Sequence, residues 1–193
     1  MSAIIAIIVA YLIGSISSAI LIAKFLKLPD PRTQGSGNAG ATNILRTVGR
    51  NQALVVLIID ILKGMIAVWI GRMFGVEGPM LGFVALGVVV GHIFPIFFKF
   101  KGGKGVATTL GALVALAFWP GIITAAIWIA LLFVFRYASL ASVVAAIAAP
   151  ILMLFLGSAV YAFPVFLITL LIVWKHKSNI ERLRNKTENK VKF

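Results

Sequence analysis

Long apolar runs, separated by short polar segments, make up most of the chain. They cover residues 3–25, 52–74, 80–98, 106–118, 121–135, 138–156 and 159–174. Several of these runs approach the roughly 20 residues that a helix needs to cross a bilayer. The pattern therefore predicts an all-α integral membrane protein with about seven transmembrane helices. The fourth and fifth runs are short and meet at Trp119-Pro120-Gly121, so one long kinked helix or a re-entrant pair would also fit and would give fewer crossings.

The positively charged residues predict the orientation. Sixteen of the 18 Lys and Arg residues lie around the connections that follow the first, third and fifth runs, or in the tail. The alternate connections, Gly75–Pro79, Trp119–Gly121 and Gly157–Ser158, contain none. Because cytoplasmic loops are enriched in Lys and Arg, we expect the N-terminus outside and the C-terminus in the cytoplasm. We expect one polytopic domain, residues 1–193, with cytoplasmic loops at 27–51 and 99–105 and a basic tail at 175–193.

Composition narrows the possible chemistry. Hydrophobic residues make up 61% of the chain and charged residues only 12%, whereas soluble domains carry about 25% charged residues. A soluble domain, a disordered chain and a nucleic-acid-binding protein are therefore excluded. The absence of cysteine excludes thiolate nucleophiles and Cys-ligated metals, and the 2 His and 5 acidic residues offer little for another metal site. We expect no metal and no cofactor.

Two polar loops have the composition of anion sites. Gly35–Arg46 and Lys99–Thr109 both place glycines and small polar residues just before an apolar segment. Glycine lets consecutive backbone N–H groups turn toward one point, and the N-terminus of the following helix adds its positive dipole end. Lys104 adds a full charge, which favours phosphate binding. Neither the Gly35–Gly40 pattern nor Gly102–Gly105 indicates a nucleotide site, because the first lacks a βαβ unit and the second lacks Walker A spacing.

A few charged and polar residues fall inside the apolar runs. Asp60 and Lys63 are three residues apart on one predicted helix, and we interpret them as a structural ion pair turned into the bundle. His92, beside Pro95, is interpreted as a hydrogen-bonded structural residue.

Other polar residues lie near the predicted cytoplasmic surface. Ser139 and Ser142 are three residues apart in the sixth run, where hydroxyl groups usually bond to backbone. His176, Asn179 and Arg182 recur every three residues in the tail and therefore share one helical face. A basic tail by itself is typical of a signal that sets membrane topology, but that interpretation does not account for His176, Asn179 and Arg182.

Three segments, taken in order, resemble the motifs of one family. They are Gly35–Asn43 followed by Arg46, then Gly91–Pro95 running into Phe100–Thr108, and finally Asn179–Leu183 continuing to Glu188. The chain resembles the bacterial acyl-phosphate:glycerol-3-phosphate acyltransferases, the PlsY family, over nearly its whole length. One departure is Lys186, where the family usually has glycine.

The resemblance implies a reaction and a set of site residues. An acyl group would pass from acyl phosphate to the 1-hydroxyl of glycerol 3-phosphate, giving lysophosphatidate and phosphate, in an early step of phospholipid synthesis. The expected catalytic residues are Arg46, Lys104, Ser142 and His176. The expected phosphate-binding residues are Ser36, Gly37, Asn38, Thr42, Asn43, Arg46, Gly102, Gly103, Lys104, Gly105, Thr108, Asn179 and Arg182. Which loop binds which phosphate, and which group accepts the hydroxyl proton, remain open at this point.

The resemblance also implies a location and partners. We expect a multi-pass protein of the bacterial inner membrane, a monomer with its active site facing the cytoplasm, linked functionally to the enzyme that makes acyl phosphate. The alternative is a transporter of an organic phosphate or another anion, with Pro150 and Pro164 breaking helices near the midplane. The short, nearly uncharged outer connections count against transport.

Overall fold

The computed structural model describes residues 1–156 and 158–191. Within these ranges the chain is helical, without strands. The α-helices are α1 (Ser2–Gly14), α2 (Ser18–Phe25), α3 (Ala41–Thr47), α4 (Arg50–Met73), α5 (Gly78–Ile93), α6 (Val106–Leu116), α7 (Phe118–Phe135), α8 (Ala138–Phe155), α9 (Ala162–Lys175) and α10 (Lys177–Arg184). Short 3-10 turns occur at Pro31–Thr33, Ile96–Phe98 and Ala159–Tyr161. Gly157 of the third outer connection and Lys192 of the basic tail lie outside the described residues.

All seven predicted apolar runs are helical, which confirms the all-α prediction. Five segments are long and apolar enough to cross a membrane: Ser2–Phe25, Arg50–Met73, Gly78–Phe98, Phe118–Phe135 and Ala138–Phe155. Ala159–Lys175 with α10 forms a sixth candidate, bent by 58°. The seventh, α6, has 11 residues and spans only about 16 Å, roughly half of the hydrocarbon core. The count of seven crossings stays a prediction.

The fourth and fifth runs form two helices rather than one kinked helix. The break lies at Ala117, whose backbone is extended, and not at Trp119–Gly121, which belongs to the first turn of α7. Gly121 allows α7 to fold back tightly on α6, because a Cβ there would overlap the backbone of Val114.

The first span is also interrupted. α1 ends at Gly14 and α2 begins at Ser18. The break leaves the carbonyl of Ile16 outside the helical ladder, and Lys63 Nζ donates a hydrogen bond to it at 2.9 Å. A charged side chain from α4 therefore satisfies a backbone group that lipid could not.

Close helix contacts through glycine hold the bundle together. A Cβ at Gly91 of α5 would overlap the carbonyl of Tyr11 in α1, and one at Gly64 of α4 would overlap the carbonyl of Thr108 in α6. Small residues at these positions let the helix backbones approach closely. The side chains of Val84 and Val88 in α5 are completely buried, so α5 lies in the core.

Candidate active site

The polar segments predicted to be cytoplasmic meet at one end of the bundle. Arg32 Nη1 in the first loop donates to the carbonyl of Phe98, at 2.9 Å, beside the second loop. Lys104 in the second loop donates to the side-chain oxygen of Asn179 in α10. Arg46 Nη2 donates to the carbonyl of Asn189 in the tail at 3.1 Å. Segments far apart in sequence therefore build a single site.

The Gly102–Gly105 loop is folded against the C-terminal end of α5. Gly102 N–H donates to the carbonyl of Ile93 at 3.3 Å, and Gly103 N–H donates to the carbonyl of His92 at 3.1 Å. These two N–H groups are therefore engaged in protein hydrogen bonds, contrary to a nest in which they turn toward phosphate. The glycines are required for another reason, since a Cβ at either position would overlap His92.

The feature of this loop that suits an anion lies one step further along the chain. Gly105 has a φ of +86° and caps α6, and Thr109 N–H makes the first bond of the helix, to the Gly105 carbonyl at 2.8 Å. The N–H groups of Val106, Ala107 and Thr108 consequently have no acceptor within the helix. Such a helix N-terminus, with Lys104 immediately before it, attracts an anion.

Lys104 is a perturbed lysine. Burial lowers the pKa of its ammonium group to about 8, from an ordinary value of 10.5. Glu188 opposes this shift, whereas the positive charges of Arg182 and Arg46 add to it. A lysine surrounded by other cations is poised to bind a second anion, because an incoming phosphate relieves their mutual repulsion.

A carboxylate from the tail organises the other side of the site. We call the group formed by Lys104, Ser139, Asn179, Arg182 and Glu188 the Glu188 network. The Glu188 side chain is only 5% exposed, and its carboxylate accepts hydrogen bonds from Asn179 Nδ2 at 2.7 Å, Arg182 Nε at 2.7 Å and Ser139 Oγ at 2.9 Å. These bonds lower the pKa of Glu188 although burial raises it. Because Asn179 donates to Glu188 through its nitrogen, its oxygen is turned toward Lys104.

The tail reaches the site by a tight turn after α10. Lys186 has a φ of +58°, and its N–H donates to the carbonyl of Leu183 while Thr187 N–H donates to that of Arg182. This is a Schellman motif, in which glycine is the usual residue at the left-handed position. The chain then runs back along the bundle, and Val191 N–H donates to the carbonyl of Arg136 at 2.7 Å.

The first loop is shaped by Asn43, which sequence reasoning assigned to phosphate. Asn43 is 1% exposed. Its oxygen accepts from the N–H of Ser36 at 2.9 Å, and its nitrogen donates to the carbonyls of Pro31 and Gln34 at 2.8 and 3.0 Å. With these bonds made, the Asn43 side chain supports the loop rather than facing a ligand.

The remaining first-loop residues lie on its outer surface. Ser36, Gly37 and Arg46 are exposed, and Asn38 and Thr42 are partly buried. The N–H of Gly37 donates to the carbonyl of Gln34, so the loop is closed on itself. Of this group only Arg46 has a hydrogen bond to the tail within residues 1–156 and 158–191.

His176 lies between α9 and α10 and is 3% exposed. Its Nδ1 lies 2.8 Å from the carbonyl of Ile172. A carbonyl can only accept, so Nδ1 carries the proton and Nε2 is left as an acceptor. Burial, followed by the charge of Lys104, lowers the pKa of His176 to about 4. The ring is therefore neutral near pH 7.

Ser142 and Thr108, two more of the predicted site residues, also lie outside the Glu188 network. Ser142 Oγ donates to the carbonyl of Ala138 at 2.7 Å and accepts from Trp128 Nε1 at 3.0 Å. Thr108 is fully buried, and its hydroxyl lies 3.2 Å from His92 Nδ1. The structure instead brings in Ser139 and Glu188, which sequence reasoning left out of the site. The spacing from Ser139 to Ser142 and the position of Glu188 in the third motif were the available signals.

In the part of the chain that the structure describes, no three His, Asp or Glu side chains come together as metal ligands. A family model described as Glycerol-3-phosphate acyltransferase matches residues 4–186. The chain belongs to the glycerol-3-phosphate acyltransferase family. The family resemblance seen in the motifs is thus confirmed, and family membership decides between the two predicted classes in favour of the enzyme over the transporter.

Individual members of the glycerol-3-phosphate acyltransferase family match the whole chain. One from Coxiella burnetii (strain RSA 493 / Nine Mile phase I) is 55% identical over 193 residues, covering 100% of both chains. Another, from Legionella pneumophila (strain Paris), is 45% identical over 188 residues, covering 97% of this chain and 68% of the relative.

The fold is also that of solved acyltransferases. The crystal structure of PlsY (YgiH), an integral membrane glycerol 3-phosphate acyltransferase, in its glycerol 3-phosphate form matches with a TM-score of 0.93 at 40% identity, covering 100% of this chain and 96% of that one. The lysophosphatidic acid form gives 0.91 at 38% identity, with the same coverage. The prediction of an all-α integral membrane protein is thereby confirmed.

Proposed function

We propose that this acyltransferase moves an acyl group from acyl phosphate to the 1-hydroxyl of glycerol 3-phosphate. The hydroxyl oxygen forms an ester bond to the acyl carbon, the bond from that carbon to the phosphate oxygen breaks, and lysophosphatidate and inorganic phosphate leave. The observation that carries the proposal is the convergence of Arg46, Lys104 and Arg182, from three segments, around the N-terminus of α6. The crystal structures of PlsY, one described as the glycerol 3-phosphate form and the other as the lysophosphatidic acid form, support the proposed acceptor and the proposed product.

We assign the phosphate of glycerol 3-phosphate to Lys104 and the first N–H groups of α6. Both contribute positive charge at one point, and Asn179 holds the ammonium group of Lys104 by a hydrogen bond. To Arg46, which is exposed on α3, we assign the phosphate of the donor. A bidentate guanidinium group suits a phosphate that must be both held and released.

The acyl chain belongs on the apolar side of the site. Val106, Leu110, Ser142 and Ala145 line a cavity of only about 10 Å³ between α6 and α8, so a hydrocarbon chain can enter there only if these helices separate. We propose that the donor's hydrocarbon tail enters here from the bilayer. Ser142 would then face the junction between the polar head and the tail.

Catalysis by this site rests on position and charge. Acyl phosphate is already activated, because phosphate is a good leaving group, and the cations neutralise the charge that develops on it. Two groups can take the hydroxyl proton: an oxygen of the substrate phosphate, or His176 Nε2, whose pKa of about 4 makes it a weak base. His176→Ala distinguishes them. A loss of kcat of about 100-fold or more assigns the proton to histidine, whereas a kcat within tenfold of wild type assigns it to phosphate.

We propose that the site faces the cytoplasm of a bacterial inner membrane, with the N-terminus outside and the chain acting as a monomer. The basic residues on one side of the bundle support this orientation. The donor would come from a separate enzyme that makes acyl phosphate.

The test is an assay of the purified chain in detergent. We expect phosphate release only when acyl phosphate and glycerol 3-phosphate are both present, with lysophosphatidate as the lipid product. Lys104→Met is expected to raise the KM for glycerol 3-phosphate, while Lys177→Met, at an exposed lysine of α10, serves as the matched control. If the chain is equally active when an acyl thioester replaces acyl phosphate, the proposal that acyl phosphate is the donor is rejected. An unchanged KM in Lys104→Met would reject the phosphate assignment.

A further inference from the structure

A second polar cluster lies inside the bundle, and the proposed reaction does not use it. We call Ser18, Asp60, Lys63, His92 and Thr108 the Asp60 network. These side chains come from four helices, α2, α4, α5 and α6, and none is more than 7% exposed. Charged side chains at such a position are costly, and they are usually retained for a function.

Asp60 is the centre of this network. Its Oδ1 accepts from Ser18 Oγ at 2.9 Å and from Lys63 Nζ at 2.8 Å. His92 Nδ1 lies 3.6 Å from the same oxygen and 3.2 Å from the hydroxyl of Thr108. Lys63 also donates to the carbonyl of Ile16. The His92 ring therefore contacts side chains from two neighbouring helices, α4 and α6.

His92 joins this network to the active site. Its Nε2 lies directly against Gly103, so that a Cβ at Gly103 would overlap it, and the carbonyl of Ala39 in the first loop lies 2.8 Å from the same Cβ position. Gly103 N–H also donates to the backbone carbonyl of His92. The residue before Lys104 thus packs against both the imidazole ring from α5 and the first loop.

We propose that the Asp60 network is a positioning device for Lys104. Asp60 and Thr108 fix the ring of His92, His92 fixes Gly103, and Gly103 fixes the adjacent lysine in reach of the substrate phosphate. His92 and Asp60 are positioning residues and do not touch the substrate. The inference rests on the proposed role of Lys104 in binding glycerol 3-phosphate.

A double-mutant cycle tests this coupling. The dissociation constant for glycerol 3-phosphate is measured by calorimetry in detergent, without donor, for wild type, His92→Gln, Lys104→Met and the double variant. We expect His92→Gln to weaken binding at least tenfold in wild type and less than twofold when Lys104 is already absent, because residues that act through one another are not additive. Thr169→Val is the matched control, since Thr169 is equally buried and its hydroxyl bonds only to backbone, at Ala146 and Val165.

Each result has one meaning. Binding within twofold of wild type in His92→Gln overturns the inference, as does an equal loss in both backgrounds. If Lys104→Met alone binds normally, the phosphate assignment itself fails, and the role proposed for the network fails with it. If His92→Gln does not yield folded protein, Thr108→Val replaces it in the same cycle, because it removes the hydroxyl beside His92 and keeps the side-chain shape. A similar loss of binding in Thr169→Val would indicate a general packing effect and would also overturn the inference.

Discussion

The depressed pKa of Lys104 predicts how substrate binding depends on pH. With a pKa of about 8, the ammonium group is about 90% charged at pH 7 and about 10% charged at pH 9. If the phosphate binds only to the charged form, the apparent dissociation constant for glycerol 3-phosphate rises about ninefold between these pH values. An ordinary lysine, with its pKa of about 10.4, would stay charged and give almost no change.

Neither His176 nor the ligand accounts for a change in this window. The pKa of His176 is about 4, and a phosphate monoester is already a dianion above about pH 7. Bound phosphate favours the charged form of Lys104 and so raises its pKa in the complex. Binding of glycerol 3-phosphate is therefore tight at low pH and weakens as the pH rises through 8.

The assay is calorimetric titration with glycerol 3-phosphate at pH 7, 8 and 9, at constant ionic strength. Lys104→Arg is the control, since arginine keeps its charge across the range and should bind almost equally at all three values. A wild-type dissociation constant that changes less than twofold would refute the reasoning. So would the same ninefold rise in Lys104→Arg, because the titrating group would then be another one.

Three further changes test the structure around the site. Glu188→Gln removes the charge that Arg182 binds, and we expect the free energy of unfolding to fall by about 2 kcal/mol. The loss would be seen as a lower Tm and faster tryptic cleavage of the tail, and an unchanged Tm and cleavage rate would contradict it. Lys186→Gly relieves the left-handed backbone at φ +58° and should stabilise the protein by about 1 kcal/mol, whereas Glu181→Gly, at an exposed position inside α10, should destabilise it by about as much. Gly64→Ala forces α4 away from α6, and we expect the free energy of unfolding, measured by thermal unfolding, to fall by about 1–3 kcal/mol. The control Leu62→Ala, at an exposed position of α4, should give a smaller loss.

The apolar runs predicted the helices because hydrophobic length is a local property of the sequence. The break after Gly14 and the position of the break between α6 and α7 were not predicted, because they depend on distant partners. The interruption after Gly14 is stabilised by Lys63 of α4, which bonds to the freed carbonyl of Ile16. The break at Ala117, two residues before the predicted one, depends on α7 packing against α6 through Gly121.

The motif loops show a similar limit on what the sequence alone can predict. Their composition suggested anion sites, and the structure brings these loops and the tail together at one end of the bundle, but composition did not indicate which groups remain free to bind. Asn43 and the N–H groups of Gly102 and Gly103 look like phosphate ligands in the sequence, yet each makes protein hydrogen bonds in the structure. Side chain to backbone bonds of this kind are specified by three-dimensional contacts, so neither residue type nor spacing reveals them.

Acidic residues explain how so basic a surface holds its shape. The chain has 5 acidic residues and a net charge of +13, and three of the acids hold parts of the site. Asp30 pairs with Arg32, which reaches Phe98 beside the second loop. Asp60 lies in the network that holds His92, and Glu188 orders Asn179 and Arg182.

The acids are also placed so that they do not cancel the whole positive charge of the site. Glu188 pairs with Arg182 at 2.7 Å, whereas Lys104 bonds to the neutral amide of Asn179 and Arg46 to a backbone carbonyl. Two cations are thus held in position by neutral groups, which orient them without neutralising them. On the proposed assignment, the phosphates of the two substrates supply the negative charge that the fold withholds from Lys104 and Arg46, so substrate binding would neutralise these two cations.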